Sequence, residues 1–283
     1  MNRLPRPWVL ILGRLLGFLI YLTMSYRKDV ARKNLTRAFP HLSIRQQRTL
    51  LRRTYQHFGM VLMDFIRIPA LSAKSLDTIV DFDESHVREA REQGTGAVIM
   101  TGHLGNWELI VPTLTLLGYP IIPVIVPQRG SGGLIVKTIR GSTGSRYISS
   151  RTSSRTMLRL LKEGNFLGLA SDQDARKSGV WVTFLGQFSS RPRGSAVFAI
   201  NTGVPILAGW CILQSNGRYR LNFTPISLKN LPGNRDQAVQ NLTQRCMDAL
   251  EEVVKQYPEQ YLWFHRMWKT CPESSTELDE GVD

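Results

Sequence analysis

From about residue 79 onward the sequence alternates short apolar runs with amphipathic stretches, and this alternation restricts the fold more than any other feature. Residues 96–100, 121–126, 166–170, 180–184, 205–211 and 219–223 have strand length and are rich in β-branched or aromatic residues. Residues 84–93, 104–117, 132–140, 155–163, 195–202 and 235–256 carry helical spacing. Strands interleaved with helices predict an α/β fold, with a mixed, partly parallel central sheet flanked by helices. In 283 residues this fits one α/β domain with appendages. Ligands of such sheets bind beyond the carboxyl ends of strands.

The N-terminal part has a different texture. Residues 8–24, WVLILGRLLGFLIYLTM, are apolar except for Gly13, Arg14, Gly17 and Thr23. A spanning helix needs about 20 apolar residues. This shorter run, with Arg14 in its middle, predicts a membrane helix that is embedded or spans shallowly; a buried core helix is the competing reading. Arg27, Lys28, Arg32 and Lys33 follow at once, positioned to face anionic headgroups on the cytoplasmic side. No small-residue cleavage site follows, as a signal peptide would require. Ser43-Ile-Arg-Gln46 is a capping box. It opens a helix with Leu50, Leu51, Phe58, Val61, Leu62 and Phe65 near one face and Arg45, Arg48 and Arg52 on others, ending near Ile68-Pro69. The expected division is a membrane helix (1–26), a main domain (27–271) and an acidic tail (272–283).

Charge narrows the partners. The chain has 36 Lys+Arg against 22 Asp+Glu, a net +14. Five of those acids lie in the last twelve residues, which read as a solvated tail. Without it, 36 bases face 17 acids, a net +19 that suits an anionic partner: an acidic protein, an acidic lipid or nucleic acid. Nucleic acid is disfavoured, because no recognised binding motif is present and an apolar run adjoins the charge. Cys211, Cys246 and Cys271 lack CxxC spacing, which argues for a reducing compartment and against disulfides or a zinc ribbon.

TGHLGNWEL (101–109) follows the apolar run 96–100 and so lies at a strand's carboxyl end. His103 and Glu108 are five positions apart, about 500° on a regular helix, so they would diverge by roughly 140° if both were helical. They can meet if His103 precedes the helix in a turn eased by Gly102 and Gly105. A carboxylate beside an imidazole fixes its tautomer and raises its basicity. No serine or cysteine in the stretch is an evident nucleophile. The expected chemistry is general-base deprotonation of a hydroxyl that attacks an activated acyl group, with backbone N–H groups, Asn106 or an arginine on the oxyanion. A capped helix with a satisfied polar loop would give the same spacing without chemistry. His41, His57, His86 and His265 are scattered, with no HExxH or Cys/His cluster to suggest a metal.

HLGNWEL (103–109) resembles the H-x4-D/E motif of the glycerolipid and lysophospholipid acyltransferase superfamily. The chain resembles in particular its branch of late acyltransferases of lipid A biosynthesis. RKDVARKNLTRAFPHLS (27–43), SDQDARKSGVWVTFLGQFSSRPRGSA (171–196) and YPEQYLWFHRMWKT (257–270) resemble further blocks of that branch, in order. The resemblance covers about residues 8–271. It implies a glycerol-phosphate acyltransferase-like fold. It also implies transfer of a fatty chain from an acyl-carrier-protein thioester, or acyl-CoA, to a hydroxyl of a lipid A precursor in lipopolysaccharide biosynthesis. That reaction needs no bound cofactor or metal and takes place at the cytoplasmic face of a bacterial inner membrane. The same chemistry on another glycolipid or phospholipid is the alternative. By this likeness His103 is the base and Glu108 its orienting partner. A functional arginine and aspartate map to Arg140 and Asp172, with Arg129, Arg146 and Asp174 as rivals; Arg140 and Asp172 are expected to form a buried ion pair. Arg176, Lys177, Arg191 and Arg193 read either as contacts for phosphate or the carrier protein or as a solvated basic loop, and His265 as structural. Trp263, Phe264 and Trp268 read either as a membrane-interface cluster or as core.

Overall fold

The computed structural model describes residues 4–24, 27–127 and 130–270. The acidic tail, Cys271 and Arg129 lie outside them. A seven-stranded sheet runs β1–β9–β8–β2–β5–β3–β4. Its strands are β1 (Val80–Phe82), β2 (Ala97–Thr101), β3 (Ile121–Ile125), β4 (Ile148–Ser149), β5 (Phe166–Ala170), β8 (Ile206–Leu213) and β9 (Tyr219–Ile226). Strands β8, β2, β5, β3 and β4 are mutually parallel, and β9 returns antiparallel to β8. The mixed, partly parallel sheet is therefore present.

The strand expected at 180–184 is present as β6 (Val180–Phe184), but it stands outside the central sheet and pairs with β7 (Gln187–Arg191) as a separate antiparallel hairpin. Leu185 and Gly186 turn this hairpin with φ of 52° and 72°, the two positive φ values that let a two-residue turn follow the strands' twist.

Strand β2 is buried on both faces, as central parallel strands are. Val98 and Met100 face a core shared with α8 (Ser154–Lys162), α9 (Gly194–Thr202), α10 (Arg235–Gln256) and the β6–β7 hairpin. Ala97 and Ile99 face a second core with α4 (Ala73–Leu76), α5 (Ser85–Glu92) and α6 (Ile110–Leu116). Helix α7 (Ser131–Gly141) lies between β3 and β4.

The N-terminal half-module contains α1 (Arg6–Thr23), α2 (Lys28–Ala38) and α3 (Ile44–Arg67), the last opened by the expected Ser43–Gln46 capping box. Helix α1 is long and apolar enough to cross a membrane. One face packs on α3 through Gly13 and Gly17; a methyl on Gly17 would sit 2.0 Å from the Tyr55 carbonyl oxygen. The other face exposes Trp8, Ile11, Leu15, Leu19 and Leu22. The helix is thus docked on one side and apolar toward the outside, unlike a buried core helix.

Polar groups pin the start of α1. Arg6 donates to Asp64 Oδ1 at 2.8 Å and to the Gly217 carbonyl at 3.0 Å, while the Tyr219 hydroxyl donates to Asp64 Oδ2 at 2.8 Å. Asp64 is buried, so removing it strands a guanidinium and a phenol. Asp64→Ala should cost about 3–5 kcal/mol, the usual penalty for breaking a buried pair. Chemical denaturation of the variant checks this, and an unchanged midpoint contradicts it.

Candidate active site

Strands β2 and β5 are adjacent and in register, with Thr101 opposite Ala170. Two residues beyond each lie His103 and Asp172. The register therefore delivers both side chains to the same point at the carboxyl edge of the sheet. Asp172 Oδ2 accepts the His103 backbone N–H at 2.8 Å, and Oδ1 lies 2.8 Å from His103 Nδ1. A carboxylate accepts only, so Nδ1 carries the proton and Nε2 presents its lone pair. The His103 side chain is 18% exposed and the Asp172 side chain 3%.

Burial works against a charged imidazole at His103, but the Asp172 charge and hydrogen bond outweigh it and raise the pKa. Burial likewise opposes the Asp172 charge; the His103 charge and its two hydrogen bonds prevail and hold the carboxyl at about 2. Folding thus favours the Asp172 carboxylate. The associated stability is present above about pH 4, the unfolded carboxyl range. It is lost as pH falls toward the folded value of about 2.

The turn carrying His103 is held almost wholly by main-chain bonds. Gly105 N–H donates to Gln260 O, Asn106 N–H to Cys211 O and Leu262 N–H to His103 O. Gly105 has φ of 62°, and a methyl there would meet the Cys211 carbonyl oxygen at 2.1 Å, so glycine is required twice over. Buried His57 on α3 lies 3.2 Å from the Gly105 carbonyl through Nε2. Burial drives its pKa down to about 4, so it is neutral and donates that bond.

The carboxylate bonded to His103 is thus Asp172 and not Glu108, the partner expected from the spacing. Glu108 sits in a short 3₁₀ turn, Trp107–Leu109, and is held by Arg140 from α7: Nε to Oε2 at 2.9 Å and Nη2 to Oε1 at 2.5 Å. Regular helix begins only at Ile110, later than the spacing suggests. The expected Arg140–Asp172 pair is likewise replaced: the two expected pairs exchange partners, Arg140 binding Glu108 and Asp172 binding His103. Glu108 still adds negative charge near the imidazole, a smaller influence than Asp172. Trp107 donates its indole N–H to Glu108 Oε1 at 3.1 Å and stands edge-on to His103 at 4.9 Å. That contact accounts for a tryptophan within the polar turn: it walls one side of the imidazole.

Other expected residues are placed differently. Asn106, offered as an oxyanion donor, is fully buried, with its side chain beside Tyr219. Arg191 is fully buried: Nε donates to Ser189 Oγ at 3.1 Å, Nη1 donates to the Asp172 carbonyl, and the guanidinium covers the Phe184 ring. It braces the Asp172 strand end and does not present itself to a phosphate or carrier. Arg176, Lys177 and Arg193 are exposed. Asp174 accepts from Thr270 N–H and Oγ1, tying down the C-terminal segment. Arg146 is exposed on the loop before β4.

Two further residues stand beside His103: Gln173, which sequence reasoning missed, and His265, which it read as structural. The Gln173 amide nitrogen lies 3.4 Å from His103 Nε2 and 3.2 Å from His265 Nε2. The His103 and His265 rings are 5.3 Å apart, and burial together with the His103 charge lowers the His265 pKa. His265 comes from the WFHRMWKT block, whose carbonyls at Trp263 and His265 accept from the buried Asn34 amide of α2 at 2.7 and 2.6 Å. Trp263 and Trp268 are buried core residues. Adjacency of Gln173 to Asp172 is the one signal that pointed there. Among the described residues no group of three or more His, Cys, Asp or Glu side chains is placed to hold a metal ion.

Residues 1–270 match the model of the bacterial lipid A biosynthesis acyltransferases. The chain belongs to that family. It is accordingly an acyltransferase. Among curated relatives, the lipid A biosynthesis palmitoleoyltransferase of Escherichia coli K12 is 24% identical over 282 residues, covering 98% of this chain and 90% of the relative. The lipid A biosynthesis lauroyltransferase of the same organism is 23% identical over 96% of this chain and 88% of its own length. A phosphatidylinositol mannoside acyltransferase of Mycolicibacterium smegmatis is 24% identical over 77% of this chain and 72% of its own length.

Proposed function

We propose that the protein transfers a fatty acyl chain from an acyl-carrier-protein thioester to a hydroxyl of a lipid A precursor, with His103 as general base. The observation carrying this reading is the His103–Asp172 pair. It leaves Nε2 basic, on a side chain that is 18% exposed at the carboxyl edge of the sheet. The acceptor hydroxyl replaces Gln173 at Nε2 and gives up its proton there. Its oxygen attacks the thioester carbon, the C–S bond breaks, and the departing thiolate takes the proton from the imidazolium. The products are an ester and a free thiol.

The Leu104, Gly105 and Asn106 backbone N–H groups are already donated within the protein, so the oxyanion needs another donor. The Gln173 amide, 3.4 Å from Nε2, is a side-chain donor beside the base. Glu108 and Arg140 hold the turn and α7 together beside the imidazole. The +19 body, with Arg176, Lys177 and Arg193 exposed, suits both an acidic carrier and a phosphorylated acceptor. The exposed apolar face of α1 supports placement at the cytoplasmic face of the inner membrane, with Arg27, Lys28, Arg32 and Lys33 next in sequence.

The test incubates purified protein with a panel of acyl-carrier thioesters, acyl-CoA and candidate acceptors, including a mannosylated phosphoinositide, and weighs the products. One added acyl group on the lipid A precursor, with carrier thioester as the preferred donor, is expected. Acylation confined to another acceptor, or preference for acyl-CoA, contradicts the assignment.

A further inference from the structure

Helices α1 and α3 flank an open groove of about 620 Å³ at the end of α1 remote from Arg6. Phe18, Tyr21 and Leu22 form its α1 wall; Ile44, Arg45, Arg48, Thr49 and Arg52 form its α3 wall. The three arginines follow i, i+3, i+7 spacing, which stacks them along one helix face. All three are exposed, and no acid lines the groove. No hydrogen bond or ion pair engages their guanidinium groups among the described residues. Like charges so placed repel one another unless an anion sits among them. Lys28 adds a cation at the same end, 4.2 Å from the Tyr21 ring centroid.

The apolar side of the groove is not isolated. Leu22 belongs both to its wall and to the exposed stripe Ile11, Leu15, Leu19 and Leu22 of α1. Ile44, 71% exposed, lies on the facing wall. The groove therefore offers guanidinium groups beside an apolar surface that continues along a helix suited to lipid. A soluble phosphate would use only the cations, and an acidic protein surface would leave Ile44 and Leu22 against polar groups. A lipid satisfies both halves: its phosphodiester pairs with the arginines and its chains lie along α1.

We infer that this groove is a binding site for the phosphodiester headgroup of an anionic membrane phospholipid, separate from the acyl-transfer site. Arg52 is five residues from His57 on α3, about 7.5 Å along the helix axis. Occupancy would thus hold the sheet edge at a fixed height above the bilayer.

The test is sedimentation of the full-length protein with vesicles of phosphatidylcholine alone or with phosphatidylglycerol added. It needs no acyl donor, so it stands apart from the reaction proposed above. Wild type should prefer the phosphatidylglycerol vesicles. Replacing all three groove arginines with glutamine (R45Q, R48Q, R52Q) should lower that preference on the order of 10²-fold, with phosphatidylcholine binding retained. Glutamine keeps helix propensity, and circular dichroism verifies folding. A control removing equal charge elsewhere, R151Q, R155Q and K162Q, should keep most of the preference. Millimolar glycerol 3-phosphate should not displace the vesicles. An equal loss in the control, an unchanged groove variant, or displacement by glycerol phosphate overturns the inference. A groove variant that keeps the lipid preference but loses affinity for an acidic carrier protein also overturns it, assigning the groove to protein.

Discussion

Replacing His103 with alanine should lower the acyl-transfer rate by about 10²–10⁴-fold, the usual contribution of a positioned base. The protein should stay folded, because the surrounding turn depends on backbone bonds: Gly105 to Gln260, Asn106 to Cys211 and Leu262 to His103. None of these uses the imidazole. Asp172 keeps the backbone N–H of residue 103, so its carboxylate is not left bare. The effect should appear in kcat, with acceptor KM little changed, since removal of a base spares binding. Turnover at the wild-type rate contradicts the assignment of His103.

Asp172→Asn should be comparably damaging, about 10⁴-fold by analogy with other imidazole–carboxylate pairs. The reason is a donor count. Asp172 accepts two N–H groups from His103, one from the backbone and one from Nδ1. Asparagine has one oxygen and one NH₂ group. Whichever way the amide is turned, one N–H of His103 faces another donor. Either the turn loosens or the ring flips its tautomer and puts the proton on the reactive Nε2. Asp172→Glu retains two acceptors but lengthens the side chain in a buried position, so it should recover only part of the rate. Steady-state kinetics on the three proteins, with thermal unfolding as the folding control, checks the series. Near-wild-type turnover in the asparagine variant would remove Asp172 from the site.

Much of the scaffold is legible in the sequence because its signals are local. The α10 helix is expected at 235–256 and found at Arg235–Gln256; the capping box at Ser43 opens α3 as its pattern requires. The β6–β7 hairpin is harder to read, because residues 180–184 look like any other strand and only pairing separates them from the central sheet. The same limit hides the partner of His103. H-x4-E spacing suggests Glu108 by proximity along the chain. Asp172 lies 69 residues away and reaches the imidazole because β2 and β5 are neighbours in register. Strand order is a long-range property that no local pattern encodes. Arg191 fails for a related reason: its basic neighbours suggest a solvated loop or a phosphate contact, but the end of β7 is covered, with Ser189, Ser190 and Arg191 all buried. Gln173 and His265 meet across 92 residues, and nothing in either segment announces the other.

The most direct test of the proposed chemistry is the pH dependence of kcat/KM for wild type, Asp172→Asn and Glu108→Gln. A general base acts unprotonated, so activity rises with pH through the pKa of His103. In wild type the Asp172 carboxylate raises that pKa despite burial, which places the acidic limb above the ordinary histidine value of 6.5. Asp172→Asn removes the favourable charge and leaves the burial, so the limb should move to lower pH while the plateau falls. Glu108→Gln removes a weaker contribution and should move it less. Identical limbs in wild type and Asp172→Asn, or a larger displacement from Glu108→Gln, would contradict an imidazole tuned and aimed by Asp172.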